Sequence, residues 1–160
     1  MTEQTILGYL SEILDPEIPV LNIVEMGIVR SVFFENEKVV VTITPTYSGC
    51  PAMRMIEDNI VEKLKENGCG EVELKTVYTP TWTTDWLNEI TKKKLQQYGI
   101  SPPHTTSDNH FVEITLPKKI SCPYCQSHQT SLKSDFSSTA CKAMYYCNAC
   151  LQPFEYFKEI

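Results

Sequence analysis

The chain has 160 residues, 42% hydrophobic and 21% charged, enough for one core domain and a small module. Its net charge of −6 is unevenly spread: residues 1–117 carry nine Lys/Arg against seventeen Asp/Glu, and residues 118–160 carry five against three. So acidic a main part repels phosphate backbones, which argues against nucleic acid as a partner, and no apolar run approaches the length of a membrane span.

The first fourteen residues mix acidic and polar side chains into their apolar stretch and lack the basic start and small-residue cleavage site of a signal peptide. A cytoplasmic location is expected. Residues 3–14 place Ile6, Leu10, Ile13 and Leu14 on one helical face, with Thr2 as N-cap and a stop at Asp15-Pro16. Residues 27–34 and 38–44 predict a hairpin that turns at Asn36. After the loop 45–50, Pro51 opens a helix whose apolar face is Met53, Ile56, Ile60 and Leu64, and Gly68 suits its C′ position. Residues 71–78 read as a third strand. A further helix is expected from Asp85, as N-cap, to Tyr98, with Leu87 and Ile90 inward and Gly99 as its stop. Residues 101–109 hold no apolar side chain and read as a linker. Short strands follow, beginning with 111–116. The expected fold class is α+β: an αββαβα domain over 1–100, a linker over 101–109, and a four-cysteine zinc ribbon over 110–160.

Seven cysteines are many for a chain in the reducing cytosol, where disulfides are disfavoured and metal ligation is the better explanation. Cys122-Pro-Tyr-Cys125 and Cys147-Asn-Ala-Cys150 are two C-x2-C pairs separated by twenty-one residues. Two residues between thiolates make a tight knuckle, so both sulfurs reach one ion from the same side, and two knuckles complete a tetrahedron. A segment this short cannot bury enough apolar area to fold alone, so ligation substitutes for a core. Zinc is the expected ion, with a rubredoxin-like iron as its competitor, and the site should be structural. Cys141 is nearby as a buried thiol or an alternative ligand.

Cys50 stands apart. It precedes Pro51 at a helix N-terminus, where the dipole and unpaired N–H groups should favour a thiolate, and Gly49 beside it allows close approach. Asp15 reads as a turn residue, Trp82 and Trp86 as core, and Cys69, between Gly68 and Gly70, as packing at a helix stop. His104, His110 and His128 show no ligand spacing.

Four runs carry a resemblance: 15–19 (DPEIP), 24–29 (VEMGIV), 44–51 (TPTYSGCP) and 80–86 (PTWTTDW). Together they resemble the iron–sulfur carrier and assembly family that includes SufT. The tail, with 137–143 (SSTACKA), Cys147-Asn-Ala-Cys150 and Pro153-Phe154-Glu155, is similar to the PaaD-type family, encoded with the subunits of the ring-1,2-phenylacetyl-CoA epoxidase. Met26 stands where the family usually has leucine.

The resemblance implies a non-enzymatic factor that assembles or delivers clusters, with Cys50 as ligand of a transient iron–sulfur cluster or iron. Asp15, Cys69 and Trp82 are candidate supporting residues. The implied client is the epoxidase reductase, with the oxygenase subunits as further partners. One cysteine cannot supply the four ligands of a cluster, so a homodimer, Cys69 or a small thiol must contribute. The alternative is an adaptor subunit of the oxygenase. The chain lacks Glu-x-x-His helices for a di-iron pair and lacks a phosphate-binding loop. A thiol enzyme is disfavoured because the sequence places no histidine near Cys50.

Overall fold

The computed structural model describes residues 2–104 and 119–160. Two compact units result, Met1–Leu87 and Asn88–Ile160.

In the first unit, α1 (Glu3–Leu10) is N-capped by Thr2, whose Oγ1 accepts from the Thr5 N–H at 3.2 Å. It buries Ile6 and Leu10. The helix ends earlier than its periodicity suggests. The Glu12 and Ile13 N–H groups reach back only three residues, to Tyr9 and Leu10. That tighter winding rotates the next residues off the helical stripe. Ile13 stays buried, but Leu14, expected on the same face, is 52% exposed and bridges Asn22.

Strands β1 (Val29–Glu35) and β2 (Lys38–Ile43) form the expected antiparallel hairpin. Asn36 and Glu37 both have positive φ, as a two-residue turn matched to strand twist requires. From β2 the chain crosses through α2 (Ala52–Glu66) to β3 (Glu71–Thr76), which pairs with β2 in parallel. The sheet order is β1-β2-β3. Register puts Val32, Val41, Ile43 and Leu74 on one face, towards α2, which buries Ala52, Ile56, Ile60 and Leu64. The opposite face carries Glu35, Lys38, Glu71, Glu73 and Lys75 in exposed ion pairs such as Lys38–Glu71 at 2.9 Å. Such pairs contribute little stability but keep an edge soluble.

Trp82 closes the unit. It is 1% exposed, and its Nε1 donates to the Met26 carbonyl at 2.7 Å. Trp86 meets it edge-on, and the Arg30 guanidinium lies 3.8 Å from the Trp86 ring centroid. Gly27 has φ +71°, a conformation that L side chains rarely adopt, and it sits where a Cβ would be in van der Waals contact with both indoles.

In the second unit, α3 (Glu89–Tyr98) leads into β4 (Ile100–Ser101), which pairs in parallel with β7 (Pro153–Phe157). The sheet order is β4-β7-β6-β5, with β5 at Thr130–Ser134 and β6 at Lys142–Cys147. Because β4 hydrogen-bonds to β7, α3 groups with the cysteine-bearing tail, whereas the sequence pattern attaches it to the domain over 1–100. Asn88, not Asp85, caps α3: its Oδ1 accepts from the Thr91 N–H at 2.8 Å. Asp85 sits in the short 3-10 turn Thr84–Trp86. This shift turns the helix, so Ile90 is 68% exposed while Thr91, Lys92 and Leu95 face inward. Gly99 ends the helix at φ +93°, with Tyr124 so close that a Cβ would stand 2.8 Å from its hydroxyl. The strand expected over 111–116, most of the linker and His110 lie outside the described residues. Among the described residues, no helix is long and apolar enough to cross a membrane.

Candidate functional site

One core cluster of the tail packs Ile120, Phe154 and Tyr156 with Cys122 and Cys147, and Tyr145 stacks on Phe154 at 5.8 Å. Two of these core residues are therefore candidate metal ligands. The sulfurs of Cys122, Cys125, Cys147 and Cys150 all lie within 4.8 Å of one another. Cys122 and Cys150 are 3.7 Å apart, and Cys125 and Cys147 3.6 Å. Four sulfurs about 2.3 Å from a central Zn2+ stand about 3.8 Å apart at tetrahedral corners. The set fits such an ion and leaves no ligand position open.

Both knuckles close in the same way. The Gln126 N–H donates to the Cys122 carbonyl and the Cys122 N–H to the Ser127 carbonyl; Leu151 and Gln152 repeat the pattern around Cys147. Gln126 and Leu151 have φ of 60° and 61°. Each knuckle thus needs a left-handed residue immediately after its second cysteine. Backbone N–H groups of Cys150 and Ala149 hold the Cys147 thiol down to about 7, while burial and the crowding sulfurs push Cys150 up to about 12. Without a cation the cluster therefore holds protons, which metal binding must displace. Cys141 lies outside this group of four. It is buried, with its sulfur 3.1 Å from Thr139 Oγ1.

Cys50 occupies the position that the β2–α2–β3 crossover creates. Parallel pairing sets Ile43 beside Thr76, so both strands end together, and the Val77 N–H donates to the Ile43 carbonyl. The loop leaving β2 then turns through Gly49, at φ +78°, into the N-terminus of α2. Ligands collect at the carboxyl ends of parallel strands for this reason. Here a recess of about 200 Å3 is lined by Pro45, Gly49, Cys50, Met53, Glu57, Thr76 and Tyr78.

The expected low pKa of Cys50 is reversed. Burial is the largest effect and raises it; the Ala52 N–H pulls it down, but the charges of Glu17 and Asp15 add to the rise. The helix N-terminus acts as anticipated and is outweighed.

Asp15 reaches this thiol as a charge, while its own geometry is structural. It is 5% exposed, and Oδ1 accepts from the Glu17 and Ile18 N–H groups, both at 2.8 Å. Cys69 is 7% exposed at the end of α2, and neither it nor Trp82 lines the recess. Sequence reasoning missed Glu57, Thr76 and Tyr78. The available signal was Glu57 lying seven residues, two helical turns, beyond Cys50.

Residues 3–75 match the iron–sulfur cluster assembly protein family, and residues 106–158 match the PaaD zinc beta ribbon domain. The chain is 46% identical over 153 residues to an Escherichia coli (strain K12) protein provisionally named as the D subunit of 1,2-phenylacetyl-CoA epoxidase. That match covers 96% of this chain and 90% of the relative. The Fe-S protein maturation auxiliary factor YitW of Bacillus subtilis (strain 168) is 30% identical over 92 residues, 56% of this chain and 89% of its own. A domain of unknown function (DUF59) from Bacillus anthracis superposes with a TM-score of 0.54 at 30% identity, covering 58% of this chain and 90% of that one. An assembly-type domain carrying Cys50 and a four-cysteine ribbon thus follow one another along a chain that aligns with that first relative nearly end to end, and the protein belongs to the PaaD-type family of epoxidase D subunits.

Proposed function

We propose that this chain is a non-enzymatic maturation factor that holds iron or a labile cluster at Cys50 and delivers it to the phenylacetyl-CoA epoxidase system, with the reductase as client. The observation that carries this is the partly buried Cys50 in a recess at the strand ends of the domain matching the assembly family. Cys50 provides one thiolate; the remaining ligands come from a second copy, the client or a small thiol. The ribbon binds zinc as a structural ion, since four thiolates close its shell. The cytoplasm, where the client works, is the compartment this reading requires.

A second reading has support in the relative's name as an epoxidase component: an adaptor that docks on the oxygenase, with Cys50 uninvolved. The Cys50→Ala variant separates the two. Deleting the protein is expected to lower iron and acid-labile sulfide in purified reductase without changing the amount of reductase. Cys50→Ala should fail to restore them although it keeps its zinc. Binding energy in an adaptor is spread over a surface, so the variant would then restore activity in full. Normal cluster content in the deletion strain overturns the maturation reading.

A further inference from the structure

The first unit holds another groove, away from Cys50. Its volume of about 380 Å3 lies between Glu12 and Leu14, just past the end of α1, and Asn59, Glu62, Lys63 and Glu66 in the last two turns of α2. Both helices present their negative, C-terminal ends here, yet three of the lining residues are carboxylates. Glu62 and Glu66 stand one turn apart on α2, a like-charge pair that weakens a helix. Lys63 is the cation among the lining residues, and it is bound to Glu12. Among the described residues Glu62 and Glu66 form no salt bridge. Leu14 stands among these charges, 52% exposed. Two rules of helix stability are thus broken at one place beside an exposed apolar side chain, with no gain inside the fold, as happens where a surface serves binding. At about 100° per residue, Met53 and Glu57 of the Cys50 recess run along one flank of α2's buried face, and Asn59, Glu62 and Glu66 along the other.

Resting on the reading of this chain as a maturation factor with a protein client, we propose that the groove docks the client through a lysine- and arginine-bearing segment whose apolar side chain lands on Leu14. The sign of the groove excludes anionic partners such as nucleic acid and acidic lipid. Its carboxylates are not gathered on one point as a metal ion needs: among the described residues the four cysteines are the set whose ligand atoms stand that close. Cations spread along a peptide match carboxylates spread along a helix flank. Their arrival offsets the Glu62–Glu66 repulsion and meets the negative ends of both helices. Because groove and recess lie on different flanks of α2, a client seated in the groove leaves the Cys50 side of the helix uncovered.

The test is the affinity of full-length, zinc-loaded protein for the purified reductase proposed above as client, measured across a salt series. Wild type should bind, and more weakly as salt screens exposed charge. Glu62→Lys with Glu66→Lys should lower the affinity by about tenfold or more, and Leu14→Ala should lower it as well. Glu35→Lys with Glu37→Lys makes the same change in net charge on the exposed hairpin end and should bind like wild type, as should Cys50→Ala. The thermal midpoint of the groove pair should equal or exceed that of wild type, since a repulsion has been removed; a lower midpoint shows that these acids serve the fold and overturns the proposal. So does equal loss of binding in the groove pair and the hairpin pair, which makes the effect one of net charge alone. If the groove variants bind like wild type, or wild type does not bind, while Cys50 is still needed to restore iron in the reductase, docking at the groove falls and the maturation reading stands. Groove-dependent binding beside normal cluster content in the deletion strain has the opposite meaning: the docking site is upheld and the maturation reading falls.

Discussion

Cys50 shows how two local effects of opposite sign are resolved at one atom. A thiol at a helix N-terminus is expected to ionise easily, and the Ala52 N–H does act that way. Burial and two nearby carboxylates act against it and prevail. The sign has a direct consequence. Alkylation requires thiolate, so Cys50 should react slowly at pH 7 and its rate should still climb beyond pH 9.0, the ordinary thiol value. Cys69, also raised by burial and only 7% exposed, should lag behind it at every pH. A mass-spectrometric labelling profile that reaches its plateau for Cys50 below pH 8 would overturn this. The position of Cys50 was legible because Gly49-Cys50-Pro51 marks a loop entering a helix. Its burial was not, because Thr76 at the end of β3 and Tyr78 just beyond it reach the recess through a strand pairing whose register no local pattern reveals.

Among the elements, periodic ones were legible and their ends were not. The hairpin and α2 follow from alternation and from the apolar spacing of Ile56, Ile60 and Leu64. The ends of α1 and α3 depend on which of several polar residues captures the first or last free N–H groups. Asp85 and Asn88 are both acceptable caps by type, and only the second has its oxygen on the Thr91 N–H. Replacing Asn88 with alanine should therefore cost about 1 kcal/mol of stability. Asp85→Ala should leave it within about 0.5 kcal/mol of wild type. Urea midpoints of the two variants decide this, and an equal or larger loss in Asp85→Ala would restore the longer helix. The knuckles were legible as spacing, because C-x2-C fixes which sulfurs share an ion. The left-handed residue that each requires was hidden, since glutamine and leucine fill the places where glycine would announce it.

On the scale of the whole chain, the two units rest on different physical grounds. The first buries Ile6, Leu10, Ile18, Leu21, Ile23, Ile43, Ile56, Ile60, Leu64 and Trp82, all at 1% exposure or less. An apolar core of that extent holds a fold without help. Among its described residues the second also buries Leu95, Ile100, Ala143 and Phe157, but its cluster of Ile120, Phe154 and Tyr156 is built around two cysteines of the metal set, Cys122 and Cys147. Removing the ion leaves four crowded sulfurs, one held ready to ionise and others holding protons, where an attractive centre had been. Metal binding is worth about 10–16 kcal/mol to small zinc-bound folds, more than a typical domain's net stability. Chelation at neutral pH, or Cys147→Ser, should therefore unfold β5, β6 and β7, and β4 should lose its parallel partner with them. The sheet of β1, β2 and β3 should keep its protection. Hydrogen exchange resolved by peptide is the measurement. Amides of Val39–Ile43 should stay slow while those of Met144–Cys147 and Phe154–Phe157 become fast. Retained protection across β6 and β7 in metal-free protein would show that the aromatic packing of Tyr145, Phe154 and Tyr156 suffices, and the ion would then need a role other than structural.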